Sequence, residues 1–274
     1  MRKLLSTLFL VLFVVAATAQ TSPADSTQQS KEVSHKLALT GRESPGELIE
    51  MAAVSYSNGR YNDAVNLYET ILKNHGISYK IYYNLGNAYY KCDRLAPAIL
   101  NFERALRLNP SDADARFNLE MCQARIVDKI DPIGMFLIAR WYHSLGNLFD
   151  SNGWAFVSIF FYILFVGCLF SYFFARRRWL KKLGFFAGVV LLSMSSLSLI
   201  YSAQASHRLT NPDEAILFTP SVTVKSSPDK SGTDLFVIHE GCKMKIRSTL
   251  GHWSEIELED GNVGWLLSKE IQII

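Results

Sequence analysis

Catalysis and metal binding need particular side chains at particular spacings, and the chemistry-bearing residues of this 274-residue chain are not so arranged. Cys92, Cys122, Cys168 and Cys242 stand far apart with no CxxC pair, which leaves neither a metal framework nor a disulfide framework. In an oxidising compartment Cys92 and Cys122 have two states open to them, a bridge or two free thiols packed among helices. The six histidines are scattered, and His239-Glu240 is followed by Gly241-Cys242-Lys243, which does not complete an HExxH zinc motif. No phosphate-cradling glycine loop and no GxSxG elbow occurs. The carboxylates belong to solvated helix faces or to the Glu255/Glu257/Glu259 alternation of a strand. The expectation is therefore a protein that is not an enzyme and needs no cofactor. One cluster does carry a physical message. Arg176, Arg177, Arg178, Lys181 and Lys182 place five positive charges and no negative one between two apolar stretches, which is how membrane topology is set.

The elements around that cluster read as a membrane hairpin. Hydrophobic residues make up 49% of the chain and charged residues 19%, below the roughly 25% of an average soluble protein. Trp154–Ala175 and Leu183–Ala205 are uncharged runs of 22 and 23 residues, matching the roughly 20 needed to cross a hydrocarbon core of about 30 Å. Residues 154–175 and 183–205 are thus read as transmembrane helices and 176–182 as a basic loop on the cytoplasmic side, with both flanks outside. The N-terminus supports this orientation. Met1-Arg2-Lys3, an apolar run from Leu4 and the small-residue site Ala17-Thr18-Ala19 have the form of a signal peptide over residues 1–19. The predicted location is the inner (cytoplasmic) membrane of a bacterium, with the flanking domains in the periplasm. Serines 193, 195, 196 and 198 of the second run can bond across a helix pair or back to their own helix. Neither run holds an ionisable transport residue. The net charge of +3 is too small to argue for nucleic acid.

Residues 20–44, rich in Ser, Thr and Gln, read as a flexible tether. A repeat follows. Tyr82, Leu85, Gly86, Tyr89, Ala98, Phe102, Ala105 and Pro110 have the spacing of two antiparallel helices that pack closely through small residues and end at a proline. A step of 34 residues back finds Leu48, Met51, Ala52, Ala64, Tyr68 and Ile71 on corresponding positions, and a step forward finds a third first-helix over Ala113–Lys129. Residues 45–130 resemble the tetratricopeptide (TPR) family, with about two and a half repeats forming an all-α solenoid. The resemblance implies a concave groove lined by Lys80, Tyr83, Asn84, Asn87, Tyr90 and Lys91, then Phe117, Asn118, Met121 and Arg125, suited to a polar extended peptide. The chain departs from the TPR group that clamps a C-terminal carboxylate, because Ile49, Ala53 and Asp114 stand where lysine, asparagine and lysine are needed.

So short a stack needs something over its open end. The segment 131–153 reads as an amphipathic pre-membrane helix, with Ile133, Phe136, Leu137, Trp141, Leu145 and Leu148 at helical spacing. Two placements are open to it, docked on the last repeat or lying on the membrane surface.

The C-terminal residues 213–274 alternate like strands. Val222-Thr223-Val224, Leu235–His239, Lys243–Ile246 and Trp253–Leu258 are separated by turn signals, including Asp260-Gly261. This pattern resembles the bacterial SH3-like (SH3b) family, which implies an all-β small barrel that binds wall peptides or proteins. Trp253 and Trp265 belong either to its core or to a binding surface.

The order of these modules resembles the BatE-like members of the Bacteroides aerotolerance (Bat) group, encoded with a MoxR-type ATPase and membrane von Willebrand factor A proteins. The resemblance implies a non-enzymatic, stress-related scaffold subunit of an envelope complex with those proteins as partners. Peptidoglycan binding by the SH3-like module, recruiting wall enzymes, is the alternative.

Overall fold

The computed structural model describes residues 44–130 and 137–274. The signal peptide, all but the last residue of the tether, and residues 131–136 lie outside the described residues.

The repeat region consists of α1 (Pro45–Ser57), α2 (Tyr61–His75), α3 (Tyr79–Lys91), α4 (Leu95–Leu108) and α5 (Ala113–Gln123). A capping box starts α1. The Ser44 hydroxyl accepts the Glu47 N–H at 3.4 Å, and the Glu47 carboxylate accepts the Ser44 N–H at 3.0 Å. The turn into α2 passes through Gly59 at φ +74°, and 34 residues on the turn from α3 into α4 passes through Asp93 at φ +60°. The same main-chain bond closes both turns, Arg60 N–H to the Ser55 carbonyl at 2.9 Å and Arg94 N–H to the Tyr89 carbonyl at 3.0 Å. Gly86 sits under the Phe102 ring, where an added Cβ would stand 2.8 Å from the nearest ring carbon. Glycine there lets α3 and α4 close over the buried Ala98, Phe102 and Ala105.

Three more helices follow, α6 (Leu137–Gly146), α7 (Ser151–Phe174) and α8 (Arg178–Thr210). Both α7 and α8 are long and apolar enough to cross a membrane. Their boundaries correct the sequence reading in three places. The pre-membrane segment does not run unbroken to residue 153: α6 ends at Gly146, and Asp150 opens a new helix by accepting the Gly153 N–H at 2.8 Å. The basic segment is mostly helix, because α8 begins at Arg178 and only Arg176 and Arg177 of the five cations lie in the connection. Long unbranched Arg and Lys side chains tolerate a helix well, and charge alone does not unwind one anchored by an apolar run. Finally, α8 continues beyond Ala205 to Thr210 and delivers the chain almost directly to the sheet.

The two long helices meet through small residues. Ser158 and Ser195 each donate to the other's carbonyl at 3.0 Å. One heptad away on both helices, Ser151 and Ser202 repeat the exchange at 3.0 and 2.9 Å. Further along, a Cβ on Gly184 would stand 2.9 Å from the Cys168 carbonyl oxygen, so backbone touches backbone.

The C-terminal region forms β1 (Glu214–Leu217), β2 (Ser221–Lys225), β3 (Asp234–His239), β4 (Lys243–Leu250), β5 (Trp253–Glu257), β6 (Val263–Leu267) and β7 (Ile271–Ile273). They make one antiparallel sheet in the order β3-β2-β6-β5-β4-β1-β7. β3 and β7 share no ladder among the described residues, so the sheet is open where the sequence predicted a closed barrel. The tight β5–β6 turn at Asp260-Gly261 was legible in advance; the edge-to-edge closure depends on distant strands and was not.

The open end of the repeat stack is covered by the sheet rather than by α6. Ile216 and Ile274 are buried in one apolar cluster with Ile99, Phe102 and Cys122 of the repeats. Gly241, at φ +88°, passes so close that a Cβ would stand 2.7 Å from Ile126. Instead, α6 packs on the hairpin. Tyr142 and Tyr201 have ring centroids 4.8 Å apart, and Trp154 Nε1 donates to the Gly146 carbonyl at 3.0 Å.

Candidate partner-binding groove

The first helices of successive repeats, α1, α3 and α5, line one face of the stack, and the groove positions lie there because side chains at i, i+3, i+4 and i+7 share a helix face. Asn118 on α5 donates to Asn87 Oδ1 on α3 at 2.8 Å, and its amide lies 3.5 Å from the Tyr83 hydroxyl. Asn84 faces the hydroxyl of Tyr68 on α2, and burial pushes that phenol up from its ordinary value. Tyr83 leans on the edge of Phe102 at 6.1 Å. At the far end of α3 the Arg125 guanidinium covers the Tyr90 ring at 5.3 Å and pairs with Asp93 at 2.5 Å.

Of the predicted positions, Tyr83, Asn87 and Asn118 therefore come together as one polar strip crossing two repeats, and Tyr90 and Arg125 form its border. Asn84 is committed to the packing of α2 against α3. Lys80 and Lys91 are exposed, Met121 is half-buried, and Phe117 stands 62% exposed on α5. Amide groups spaced one per repeat can bond the N–H and C=O groups of an extended chain laid along the face, while the exposed aromatic offers one apolar contact.

Trp253 and Trp265 share a face of the sheet. Trp265 pairs with Glu255, two residues from Trp253, and both indoles are half-buried on the face opposite the buried Ile256 and Leu266. Neither is a core residue. The predicted cations Arg176, Arg177, Arg178, Lys181 and Lys182 lie together at the closed end of the hairpin, remote from the groove in chain order.

Sequence reasoning missed the charged groups that tie the modules together. Lys243 Nζ lies 3.1 Å from carboxylate oxygens of both Glu103 and Glu214. Burial pulls the Lys243 ammonium down, but the two carboxylates outweigh it and hold the group above its ordinary value. Burial pushes the Glu103 carboxyl up, offset in part by Lys243. Asp128 accepts the His239 main-chain N–H at 2.5 Å and meets its Nδ1 at 2.9 Å. Glu103 and Lys243 are 140 residues apart and Asp128 and His239 are 111 apart, and no local spacing marks either pair. Asp93 had a signal, since it occupies the Gly59 position one repeat later.

The four cysteines are free thiols in this structure. Burial pushes Cys122 up to about 11 and Cys242 up to about 12, which keeps both protonated at neutral pH. Among the described residues no three His, Cys, Asp or Glu side chains gather in a metal-binding group.

The tetratricopeptide repeat family model matches residues 79–112, the α3–α4 pair and the turn after it. Tetratricopeptide repeats are protein-interaction scaffolds, and that much of the functional reading stands on the match. No curated protein sequence matches the chain. Among solved structures, a crystal structure of MamA is 15% identical, covering 70% of this chain and 98% of its own, with a TM-score of 0.31. A TPR repeats protein from Bacteroides fragilis is 12% identical, covering 67% of this chain and 91% of its own, with a TM-score of 0.33.

Proposed function

We propose that this chain is a non-catalytic, membrane-anchored scaffold subunit of a bacterial envelope complex, whose TPR groove holds an extended polar segment of a partner protein. The observation that carries this reading is the Tyr83–Asn87–Asn118 strip running across two repeats with Phe117 exposed beside it.

Anchoring is supported by the hairpin's outer surface. Phe156, Phe160, Ile163, Phe170, Phe186 and Val190 are all more than half exposed, a continuous apolar surface that water does not tolerate and lipid does. Next to its open end, Trp141 is 73% exposed and Leu145 and Leu148 follow it at helical spacing, as expected of a short helix lying in a membrane interface. The five cations at the closed end favour a cytoplasmic position for that end and the periplasm for the repeats and sheet. Resemblance to the Bat group supports von Willebrand factor A membrane proteins, and a MoxR-type ATPase, as the partners to seek, and a role in aerotolerance.

The test is crosslinking in intact cells followed by detergent extraction and mass spectrometry of what co-purifies with a tagged chain. Asn87→Ala with Asn118→Ala is expected to cut recovery of the main partner about tenfold or more, the loss of roughly 1.4 kcal/mol of binding. Unchanged recovery would sink the groove reading.

A second reading rests on the sheet. Trp253 and Trp265, half-buried on one outer face, suit a wall fragment bound by an SH3-like module. Because Ile216 and Ile274 of the sheet are buried against the repeats, the intact chain rather than the isolated sheet is the proper reagent. Pelleting with purified sacculi that is abolished by Trp253→Ala plus Trp265→Ala would promote this reading over the first.

A further inference from the structure

A cleft of about 900 Å³ lies where the repeats, the open end of the hairpin and the sheet converge. Its walls come from α4, α5, α6, the start of α7, the end of α8 from Tyr201 onward, β1, β4 and Ile274. Five cationic side chains, Arg107, Arg116, Arg208, Lys243 and Lys245, and four carboxylate side chains, Glu103, Asp150, Asp213 and Glu214, line these walls. Lys243 is matched by Glu103 and Glu214, and Lys245 by Asp213 at 3.3 Å. That leaves Arg107, Arg116 and Arg208, none of which pairs with an Asp or Glu side chain among the described residues, although Arg107 is held by Ile274. Arg107 donates to the main-chain oxygens of Ile274 and Arg208, and Arg116 to the Pro110 carbonyl at 2.5 Å. A guanidinium has five N–H donors, so both keep donors free after these bonds. Arg208 makes no side-chain bond among the described residues. The remaining carboxylate on the walls, Asp150, caps α7 by accepting the Gly153 N–H and stays charged at the mouth of the α6–α7 connection.

The height of the cleft along the hairpin says what anion it meets. Its lining begins at Tyr201, inside the uncharged run that ends at Ala205, and continues through Arg208 to Asn211. On α7 it takes in Ser151 and Asn152, just outside Trp154. The cleft thus straddles the level at which both long helices change from apolar to polar. In a bilayer that level is the headgroup layer, and the abundant anion there is phosphate.

We infer that this cleft is a binding site for the phosphate of a phospholipid headgroup, with Arg208 and Arg116 as the contacting cations and Arg107 holding the wall between them. The inference rests on the membrane-anchored reading for the source of the ligand. The chemistry, phosphate on guanidinium groups that line one cleft, is common to a lipid headgroup and to a free phosphate. A lipid bound there would touch the hairpin and the repeat–sheet unit at once. It would set the angle at which the groove is presented above the membrane.

The experiment uses the full chain, purified in a phosphate-free maltoside detergent, delipidated, and examined by native mass spectrometry. Three probes are added in turn: phosphatidylglycerol, the phosphate-free lipid digalactosyl diacylglycerol, and inorganic phosphate. The expected result is retention of phosphatidylglycerol but not of the galactolipid. Arg116→Gln plus Arg208→Gln should weaken that retention about tenfold or more. Arg208→Lys should restore part of the binding to an Arg116-intact chain, and Lys230→Gln plus Lys269→Gln, exposed cations outside the cleft, should leave it unchanged. Binding of inorganic phosphate that displaces the lipid and is lost in the same double variant would keep the site and assign it a soluble source. Equal retention by wild type and the double variant, or retention of the galactolipid as well as the phospholipid, would overturn the inference. Flotation with vesicles after an alkaline wash is read in parallel. Failure to float sinks the anchored reading alone, while intact flotation with no effect of the arginine variants sinks only the cleft.

Discussion

The molecule has two long internal interfaces, and they handle polar groups in opposite ways. Where α7 meets α8, the only polar contacts along most of the length are serine hydroxyls exchanged with facing carbonyls, and the backbones touch at Gly184. Where the repeats meet the sheet, an apolar patch of Ile99, Ile216 and Ile274 is flanked by the buried Glu103–Lys243 pair, with Glu214 at its exposed side, and by side-chain bonds from Arg104 and Arg107 to the main chain of Ile273 and Ile274. On the membrane-anchored reading proposed above, the difference follows from the medium on the outside. An interface that forms in water gains from apolar burial and can set its orientation with charges, because each charge is hydrated until the parts close. An interface that forms in lipid gains little from apolar burial, so close fit and uncharged hydrogen bonds are what remain.

The contrast is most exposed to attack at Lys243. Lys243→Met would leave two carboxylates facing each other, with the Glu103 side chain only 12% exposed, and should destabilise the repeat–sheet unit by about 3–5 kcal/mol. Thermal unfolding of the detergent-solubilised chain measures it, and Glu103→Gln combined with Lys243→Met should recover part of the loss. A cost below about 1 kcal/mol would mean that apolar contact alone holds the junction. The same residue gives a pH signature. Because the folded value of Lys243 is raised, its contribution is fully present below the free-lysine value of about 10.4 and fades as pH climbs through the folded value. The Lys243→Met variant should therefore lose less stability than wild type between neutral and strongly alkaline pH.

In the hairpin the corresponding blow is steric. Gly184→Val puts a side chain where the nearest atoms are the Cys168 carbonyl oxygen and the Tyr172 nitrogen, neither of which can swing aside. The helices must separate, at a cost of about 1–3 kcal/mol read from SDS titration in mixed micelles. A neutral effect would show that the hairpin tolerates a looser crossing and that its close approach is incidental.

How much of this could be read from residues alone follows the same division. The repeat turns were legible because Asn58-Gly59 and Cys92-Asp93 do the same job 34 residues apart, and helix packing there is decided within one repeat. The two apolar helices were legible from their length, while the start of α8 was not, because a run of Arg and Lys looks like a loop by charge and like a helix by propensity. In the groove, Asn87 and Asn118, named from the repeat pattern, lie within hydrogen-bond distance of each other, while Asn84 faces Tyr68 in the layer below. The junction was invisible. Glu103 and Lys243 are 140 residues apart, and each alone is an ordinary exposed-looking charge on a helix or strand.

The smallest effect expected is at the serine clasps. Each hydroxyl removed there gives up one interhelical bond, worth about 0.6 kcal/mol within a membrane. The remaining partner does not stay unsatisfied, because a serine in a helix can turn back to the carbonyl four residues earlier. Ser193 and Ser198 already do so, bonding Val189 and Met194 at 2.9 Å. Ser158→Ala plus Ser195→Ala should accordingly cost about 1 kcal/mol in the same SDS titration, and repeating the change at Ser151 and Ser202 should roughly double it. A first pair costing more than Gly184→Val would reverse the order of the two effects. Hydrogen bonding rather than close fit would then be the main force across the hairpin, and the two interfaces would differ in the charge of their polar groups and not in how far they rely on them.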